Sequence, residues 1–208
     1  MKIALYGLFA IFAIAIGLYP IIYFMPEMPS GLLNSKPPAL LADTLWNIGF
    51  YTHISLGGLA LLVGWIQFSK KMRTRYINAH RRIGMIYIIS VVLSGTAAIY
   101  IGFFATGGLI ASIGFISLGI VWLTFTLMAF FRIREKKVYE HQRMMIYSYA
   151  ACFAAVTLRI WLPLLIMTFQ DFIIAYRIVA WLCWVPNLMV AYYFVERGGS
   201  LRLPTIAR

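Results

Sequence analysis

Two ionisable residues lie deep inside apolar stretches of this 208-residue chain and are the first candidates for chemistry. His53 and Arg159 each lie eight residues from one end of their apolar stretch, which is about 12 Å of helix. A charge at that depth is costly unless it is paired or hydrated. An imidazole beside a guanidinium suits an anionic or quinone-like group, with Asp171 as the nearest counter-charge. In the alternative, His53 is a hydrogen-bonded core histidine and Arg159 extends to the surface past Pro163.

The other two histidines, His80 and His141, each precede an apolar stretch and are each followed two residues later by an arginine, Arg82 or Arg143. Two imidazoles that face each other across a helical bundle can ligate haem b or a soft metal ion. The two arginines would then neutralise the haem propionates. In the alternative, these side chains bind lipid phosphate or cap the starts of helices. Haem b is the leading cofactor candidate, and both interpretations remain open.

Asn187 follows Pro186 in the last apolar stretch. A proline there predicts a kink, and a polar side chain could satisfy the carbonyl groups that the kink frees. Asn187 is also a candidate third residue of the quinone or anion site. Met25 and Met28 offer thioether sulfurs to Cu(I), although methionines beside prolines at the end of a span usually serve interfacial packing.

The composition places these residues in a membrane. Hydrophobic residues make up 62% of the chain, charged residues make up 12%, and the mean hydropathy is +0.85, which is far from the composition of soluble domains. Crossing the hydrocarbon takes roughly 20 helical residues. We expect an all-α membrane protein with a single transmembrane domain over residues 1–208, in which the first span is a retained helix. The spans, numbered 1 to 6, cover about 4–24, 45–68, 83–104, 109–131, 144–167 and 174–195.

The net charge of +12 does not indicate nucleic acid, because the basic residues cluster in short loops between the spans. By the positive-inside rule, both termini should face the cytoplasm. Trp46 and Trp65 lie toward span ends, where aromatic rings favour the membrane interface. The basic residues that set this orientation are Lys70, Lys71, Arg73, Arg75, Arg81 and Arg82 after span 2, five more between Arg132 and Arg143, and Arg197, Arg202 and Arg208 in the tail.

The chain contains an internal repeat. The segment 53–57 (HISLG) in span 2 recurs as 115–119 (FISLG) in span 4, and each copy continues into a basic loop and a His-x-Arg triplet. Spans 2–3 and spans 4–5 are therefore two copies of one hairpin, related by an axis along the membrane normal. We expect spans 2 to 5 to form a central four-helix bundle, with spans 1 and 6 packed outside it.

Five segments carry a resemblance to a known family: 53–62 with Gln67-Phe68, 80–84 (HRRIG), 141–145 (HQRMM), 157–159 (TLR) and 181–188 (WLCWVPNL). At these segments the sequence resembles a family of bacterial predicted multi-pass inner-membrane proteins that is defined only as a domain of unknown function. The resemblance implies a bacterial inner (cytoplasmic) membrane location but no settled substrate.

The His-Arg-x-x-Gly opening of span 3 is also similar to membrane haem proteins of the cytochrome b561 and ferric-reductase kind. Those proteins carry paired histidines within successive spans. Here the position in span 4 that corresponds to His53 is Phe115. This departure argues against a two-haem electron wire across the membrane.

Three functions remain open. The first is a redox protein that holds haem or a metal ion at one end and a quinone or anion at the other. The second is a small-molecule transporter or permease. The third is a non-catalytic assembly factor or a subunit that contacts membrane lipids. The transport pathway would be lined by Ser55, Ser94, Thr96, Ser117, Thr157 and Arg159.

Overall fold

The computed structural model describes residues 2–25 and 32–197, and within these ranges it contains helices and no strands. Met28 of the suggested copper site, and the tail arginines Arg202 and Arg208, lie outside the described residues. Among the described residues, six helical segments are long and apolar enough to cross a membrane. This confirms the predicted all-α class and the number of spans.

The helices follow the hydrophobic pattern closely. The helix bounds are α1 Lys2–Leu18, α2 Pro38–Leu41, α3 Thr44–Gly64, α4 Lys70–Thr74, α5 Ile77–Gly102, α6 Leu109–Arg134, α7 Val138–Cys152, α8 Ala154–Phe169, α9 Phe172–Leu182 and α10 Val185–Arg197. Span 1 is α1 and a 3-10 extension, Tyr19–Phe24, and span 2 is α3 and a 3-10 extension, Trp65–Phe68. Spans 3 and 4 are the single helices α5 and α6, span 5 is α7 with α8, and span 6 is α9 with α10.

Two spans begin earlier than hydropathy suggests. The helix of span 3 begins at Ile77 and that of span 5 at Val138, so His80 and His141 lie inside the first turns rather than before the spans. Hydropathy marks the hydrocarbon depth, whereas a helix continues into the interface because its backbone groups bond within the segment. Both histidines are therefore fixed by helical geometry.

Side-chain caps define two helix starts. The Asp43 carboxylate accepts a hydrogen bond from the Trp46 amide at 2.7 Å and opens span 2. The Asp171 carboxylate accepts from the Ile173 and Ile174 amides at 2.7 and 3.0 Å and opens span 6. Each aspartate satisfies amides that have no partner within the helix.

The four central spans form a closed ring in which each packs on its sequence neighbours and span 2 meets span 5. Two pairs of residues that are equivalent in the repeat lie near each other across its axis. The Tyr87 hydroxyl lies 2.8 Å from the Ser148 hydroxyl, and His80 lies within electrostatic reach of His141. Each pair is 61 positions apart in the sequence. The predicted four-helix bundle of two parallel repeats is therefore confirmed.

The outer spans pack through very close backbone contacts. A Cβ atom on Gly58 of span 2 would lie 2.6 Å from the Gly17 carbonyl oxygen of span 1. A Cβ atom on Gly114 of span 4 would lie 2.9 Å from the Ala180 carbonyl oxygen of span 6. Small residues allow membrane helices to approach in this way.

Candidate functional site

A cavity of about 230 Å³ lies inside the bundle, toward the end opposite the basic loops. All six spans contribute to its wall, together with Leu32 and Lys36 from the connection between spans 1 and 2. The wall is mainly apolar, and none of its described residues is acidic. The polar or aromatic lining residues that matter below are Tyr23, Lys36, Trp46, His53, Trp122, Arg159 and Tyr176.

His53 is held by Ser94 on the neighbouring span. Its Nδ1 lies 3.2 Å from the Ser94 carbonyl oxygen and 3.1 Å from the Ser94 hydroxyl, and that hydroxyl donates its proton to the His53 carbonyl at 2.9 Å. Both neighbours of Nδ1 therefore act as acceptors, which places the ring proton on Nδ1. In the neutral ring, Nε2 is left with a free lone pair, and this nitrogen is available to a ligand in the cavity.

Arg159 lines the same cavity from span 5. Its guanidinium lies 4.2 Å from the centre of the Tyr19 ring and donates to the Ala155 carbonyl at 2.8 Å. Its Nε is buried without a hydrogen-bond partner, and no acidic residue in the described parts of the chain forms an ion pair with it. His53 and Arg159 therefore line one cavity.

Asp171, the expected counter-charge of Arg159, is used elsewhere. Its carboxylate accepts hydrogen bonds from the amides that open α9, and none of the ion pairs between described residues includes it. The expectation was wrong because uncapped helix amides in the same segment compete for the carboxylate. Arg159 stacks on an aromatic ring instead.

Asn187 is also not part of the cavity wall. Its amide donates to the Cys183 carbonyl at 2.9 Å, to the Thr157 hydroxyl at 3.1 Å and to the Ala150 carbonyl at 3.3 Å. These bonds lie at the break between α9 and α10, as expected for a residue that satisfies freed carbonyls. Its assignment to the quinone or anion site is corrected, because the kink uses its donor group.

Sequence reasoning did not assign three aromatic residues to this cavity, although they line it. Tyr23 packs on Tyr19 at 6.0 Å and on Phe50 at 5.5 Å between ring centres, and Tyr176 packs on Phe115 at 5.2 Å. Trp46, which we expected at the interface, is 1% exposed and lines the cavity. Position near a span end indicates interfacial rings, but it does not distinguish rings that face lipid from rings that face the bundle.

The described part of the connection between spans 1 and 2, from residue 32 onward, borders the cavity. The Lys36 ammonium donates to the Phe104 carbonyl, and the Ser35 hydroxyl lies 3.1 Å from the Thr106 hydroxyl. Burial lowers the pKa of Lys36. Lys36 is therefore a second basic residue of the cavity wall, contributed by this connection.

The repeat explains how the cavity is assembled. The equivalent positions His53 and Phe115 both line it, and so do the equivalent positions Ala98 and Arg159. The first copy contributes the imidazole where the second has a phenyl ring. The second copy contributes the guanidinium where the first has a methyl group.

At the basic end, His80 and His141 lie in the first turns of spans 3 and 5 and interact electrostatically. The His141 Nδ1 lies 2.8 Å from the Ala129 carbonyl oxygen, whereas the His80 Nδ1 is buried without a partner. Arg143 forms an ion pair with Glu196, and Arg82 is exposed. The two arginines are thus not gathered around the imidazoles as a haem site would need.

The polar pathway expected for a transporter does not form a lining. Ser94 is fully buried against His53, Thr96 bonds to the Val92 carbonyl of its own helix, and Thr157 donates to the Cys183 carbonyl. Of the six suggested residues, Arg159 alone is among the described residues of the cavity wall.

A protein-family model described as "Predicted membrane protein (DUF2306)" matches residues 50–195. The chain belongs to this family. The match begins inside span 2 and runs through nearly all of span 6, and it therefore includes His53, Arg159 and both basic loops. No curated protein and no solved structure matches the chain. The DUF2306 family is defined as a membrane family of unknown function, so any activity must be argued from the site.

Proposed function

We propose that this protein binds, inside the membrane, the oxygen-bearing head of a small apolar molecule, and that a quinone is the best fit. The supporting observation is the guanidinium of Arg159, which lacks an acidic partner in the described parts of the chain and borders a mainly apolar cavity. A buried guanidinium gains most from ligand oxygens that accept its hydrogen bonds.

The protonation of His53 favours a quinone and quinol couple over a simple anion. Arg159 donates hydrogen bonds to a carbonyl or anionic oxygen, whereas the free Nε2 of neutral His53 accepts from a hydroxyl. A quinone head presents carbonyl oxygens when oxidised and hydroxyl groups when reduced, so it can use both residues. The small volume of the cavity suits one quinone ring together with part of the apolar tail of the quinone.

Ligand binding can be measured by tryptophan fluorescence, because Trp46 and Trp122 line the cavity and quinones quench indole emission. We expect the purified protein in detergent to bind a short-chain ubiquinone saturably. Arg159→Met should weaken binding about tenfold to a hundredfold, the loss expected for a hydrogen bond to a charged group. Trp46→Phe should reduce the amplitude of quenching.

Arg134→Met is the matched control, because Arg134 is exposed at the opposite end of the bundle and loses the same charge. We expect it to bind like the wild type. A medium-chain carboxylate and the corresponding alcohol serve as further ligands: competition by the carboxylate alone would identify the site as an anion site. Equal quinone affinity in wild type and Arg159→Met would contradict the proposal.

A haem between His80 and His141 stays a prediction with weaker support, because Arg143 is already paired and Arg82 is exposed. An absorbance spectrum of the purified protein tests it. A Soret band that disappears in His80→Ala and in His141→Ala would support haem b and a redox role. A protein that binds quinone without such a band would act in quinone binding alone.

We further propose that the protein lies in the bacterial inner membrane with both termini in the cytoplasm. The support is an even number of spans and the concentration of basic residues in the loops at one end. Both native cysteines are buried, so single cysteines can be added at exposed positions. An impermeant maleimide should label Ala42→Cys in intact cells and should label Lys70→Cys only after permeabilisation.

A further inference from the structure

The end of span 2 carries buried polar atoms that have no hydrogen-bond partner. Gln67 is 7% exposed, and neither its amide nitrogen nor its amide oxygen is bonded. The Nε of Arg73 and the Nδ1 of His80 are also buried and unbonded. Buried groups of this kind are rare in native proteins, and each requires an explanation such as a bound ligand.

These three residues belong to one neighbourhood. The Arg73 guanidinium lies 3.5 Å from the carbonyl oxygen of Phe68, the residue after Gln67, and its charge acts on His80. The short helix α4, which contains Arg73, packs on both the 65–68 segment and α5. Gln67, Arg73 and His80 therefore surround the junction between spans 2 and 3.

The second copy of the repeat shows what a completed junction contains. There the position of Gln67 is occupied by Ala129, whose carbonyl oxygen lies 2.8 Å from the His141 Nδ1. Glu135 and Glu140 offset part of the basic charge of this loop through ion pairs with Arg132 and Lys137. The His141 imidazole of the second junction therefore has a partner within the chain, and part of the basic charge of its loop is paired, although the Nε of Arg143 is buried and unbonded there.

The first junction has neither of these features. Residues 69–82 include six basic residues and no acidic residue, and none of the described ion pairs involves them. The amides at the start of α5 also lack a side-chain cap, which adds positive potential at the same place. A bound anion would satisfy the unbonded donors and compensate the charge.

We propose that Gln67, Arg73 and His80 form a binding site for a phosphate group, carried by a phospholipid head or by a soluble phosphate ester. Arg73, His80 and the Gln67 amide nitrogen donate to the phosphate oxygens. The Gln67 amide oxygen accepts from a hydroxyl or ammonium group next to the phosphate. The site lies at the end of two spans, the depth at which lipid phosphates occur.

The test uses the purified full-length protein in detergent, after removal of lipid. Phosphatidylglycerol, a diacylglycerol with the same chains and glycerol 3-phosphate are titrated separately, and binding is followed by native mass spectrometry and thermal unfolding. We expect phosphatidylglycerol to bind and diacylglycerol not to bind. Competition by glycerol 3-phosphate would assign the site to soluble phosphate esters, and its absence would assign it to the lipid head.

Arg73→Gln should weaken binding about tenfold or more, as expected for the loss of a charged hydrogen bond. Arg75→Gln removes the same charge from an exposed position of the same loop and should change affinity less than about twofold. Equal losses in these two variants would overturn the proposal, because binding would then depend on the charge of the loop as a whole.

Gln67→Leu supplies a second and independent readout. Replacing an unbonded buried amide with an apolar group should leave the lipid-free protein as stable as the wild type or more so. The same variant should lose the stabilisation that phosphatidylglycerol gives to the wild type. A Gln67→Leu protein that phosphatidylglycerol still stabilises to the full extent would also overturn the proposal.

Discussion

The two copies of the hairpin have nearly the same backbone plan and different chemistry. In the first copy, span 2 carries His53, and the loop that follows is basic without acids. In the second copy, Phe115 replaces the histidine, Arg159 replaces an alanine, and two acidic residues offset part of the charge of the loop. The comparison teaches that one cavity has two non-identical halves, so that the proposed quinone would meet an imidazole from one copy and a guanidinium from the other.

Each copy packs on one outer span, and the closeness of that contact differs between the copies. Substitutions at these contacts should have the largest effect on the free energy of unfolding. Gly58→Ala places a Cβ atom 2.6 Å from a backbone oxygen of span 1, and we expect it to destabilise the protein by roughly 1–3 kcal/mol through overpacking. Gly114→Ala should have a similar but smaller effect at span 6, where the distance is 2.9 Å.

Thermal unfolding in detergent measures both changes, with Gly84→Ala as the control. A Cβ atom at Gly84 meets nothing within 4 Å, so this variant should be neutral or slightly more stable because alanine favours helix. If Gly58→Ala unfolds at the same temperature as Gly84→Ala, spans 1 and 2 do not make this close contact.

Ser94→Ala gives an intermediate effect, and it makes the first copy like the second, which has Ala155 at the equivalent position. The substitution removes the partner that fixes the His53 ring. We expect quinone affinity to fall about threefold to tenfold, which corresponds to roughly one ordinary hydrogen bond. Equilibrium quenching titrations measure it.

Thr96→Val is the control for Ser94→Ala, since Thr96 lies on the same helix, is exposed and bonds only to its own helix among the described residues. It should bind quinone as the wild type does. Equal affinity in all three proteins would mean that the orientation of His53 does not matter to the ligand.

The smallest effect is expected from neutralising the acids of the second loop. Hydrogen bonds from Lys137 and Arg132 lower the pKa of the Glu135 carboxyl, but this carboxyl is exposed and its ion pairs are screened by salt. Glu135→Gln with Glu140→Gln should change saturable phosphatidylglycerol binding less than about twofold. A new saturable site in this variant would show that acids alone distinguish the two loops.

Much of the fold could be predicted from the sequence, because the length of each hydrophobic stretch and the basic residues of each loop are local signals. The repeat was visible for the same reason, in short matching segments such as 53–57 and 115–119. The depth of His53 and Arg159 followed from counting residues along each span. Each of these inferences needs only the helical rise and the thickness of a bilayer.

The partners of the polar residues could not be predicted, because they depend on which helix faces which. Arg159 meets Tyr19 from a distant span, and Asp171 is taken by the amides next to it. Asn187 is used by the kink that its own proline-containing segment creates. The unbonded amide of Gln67 has no sequence signature, since only packing shows that its partner is missing.

The central claim is that residues from both copies contact one ligand, and a double-mutant cycle tests it most directly. His53→Phe, which copies Phe115, Arg159→Met and the double variant are compared with the wild type for quinone affinity. Contact with one ligand predicts a coupling of about 0.5 kcal/mol or more between the two substitutions. Strictly additive losses, or no loss in either single variant, would contradict a shared site.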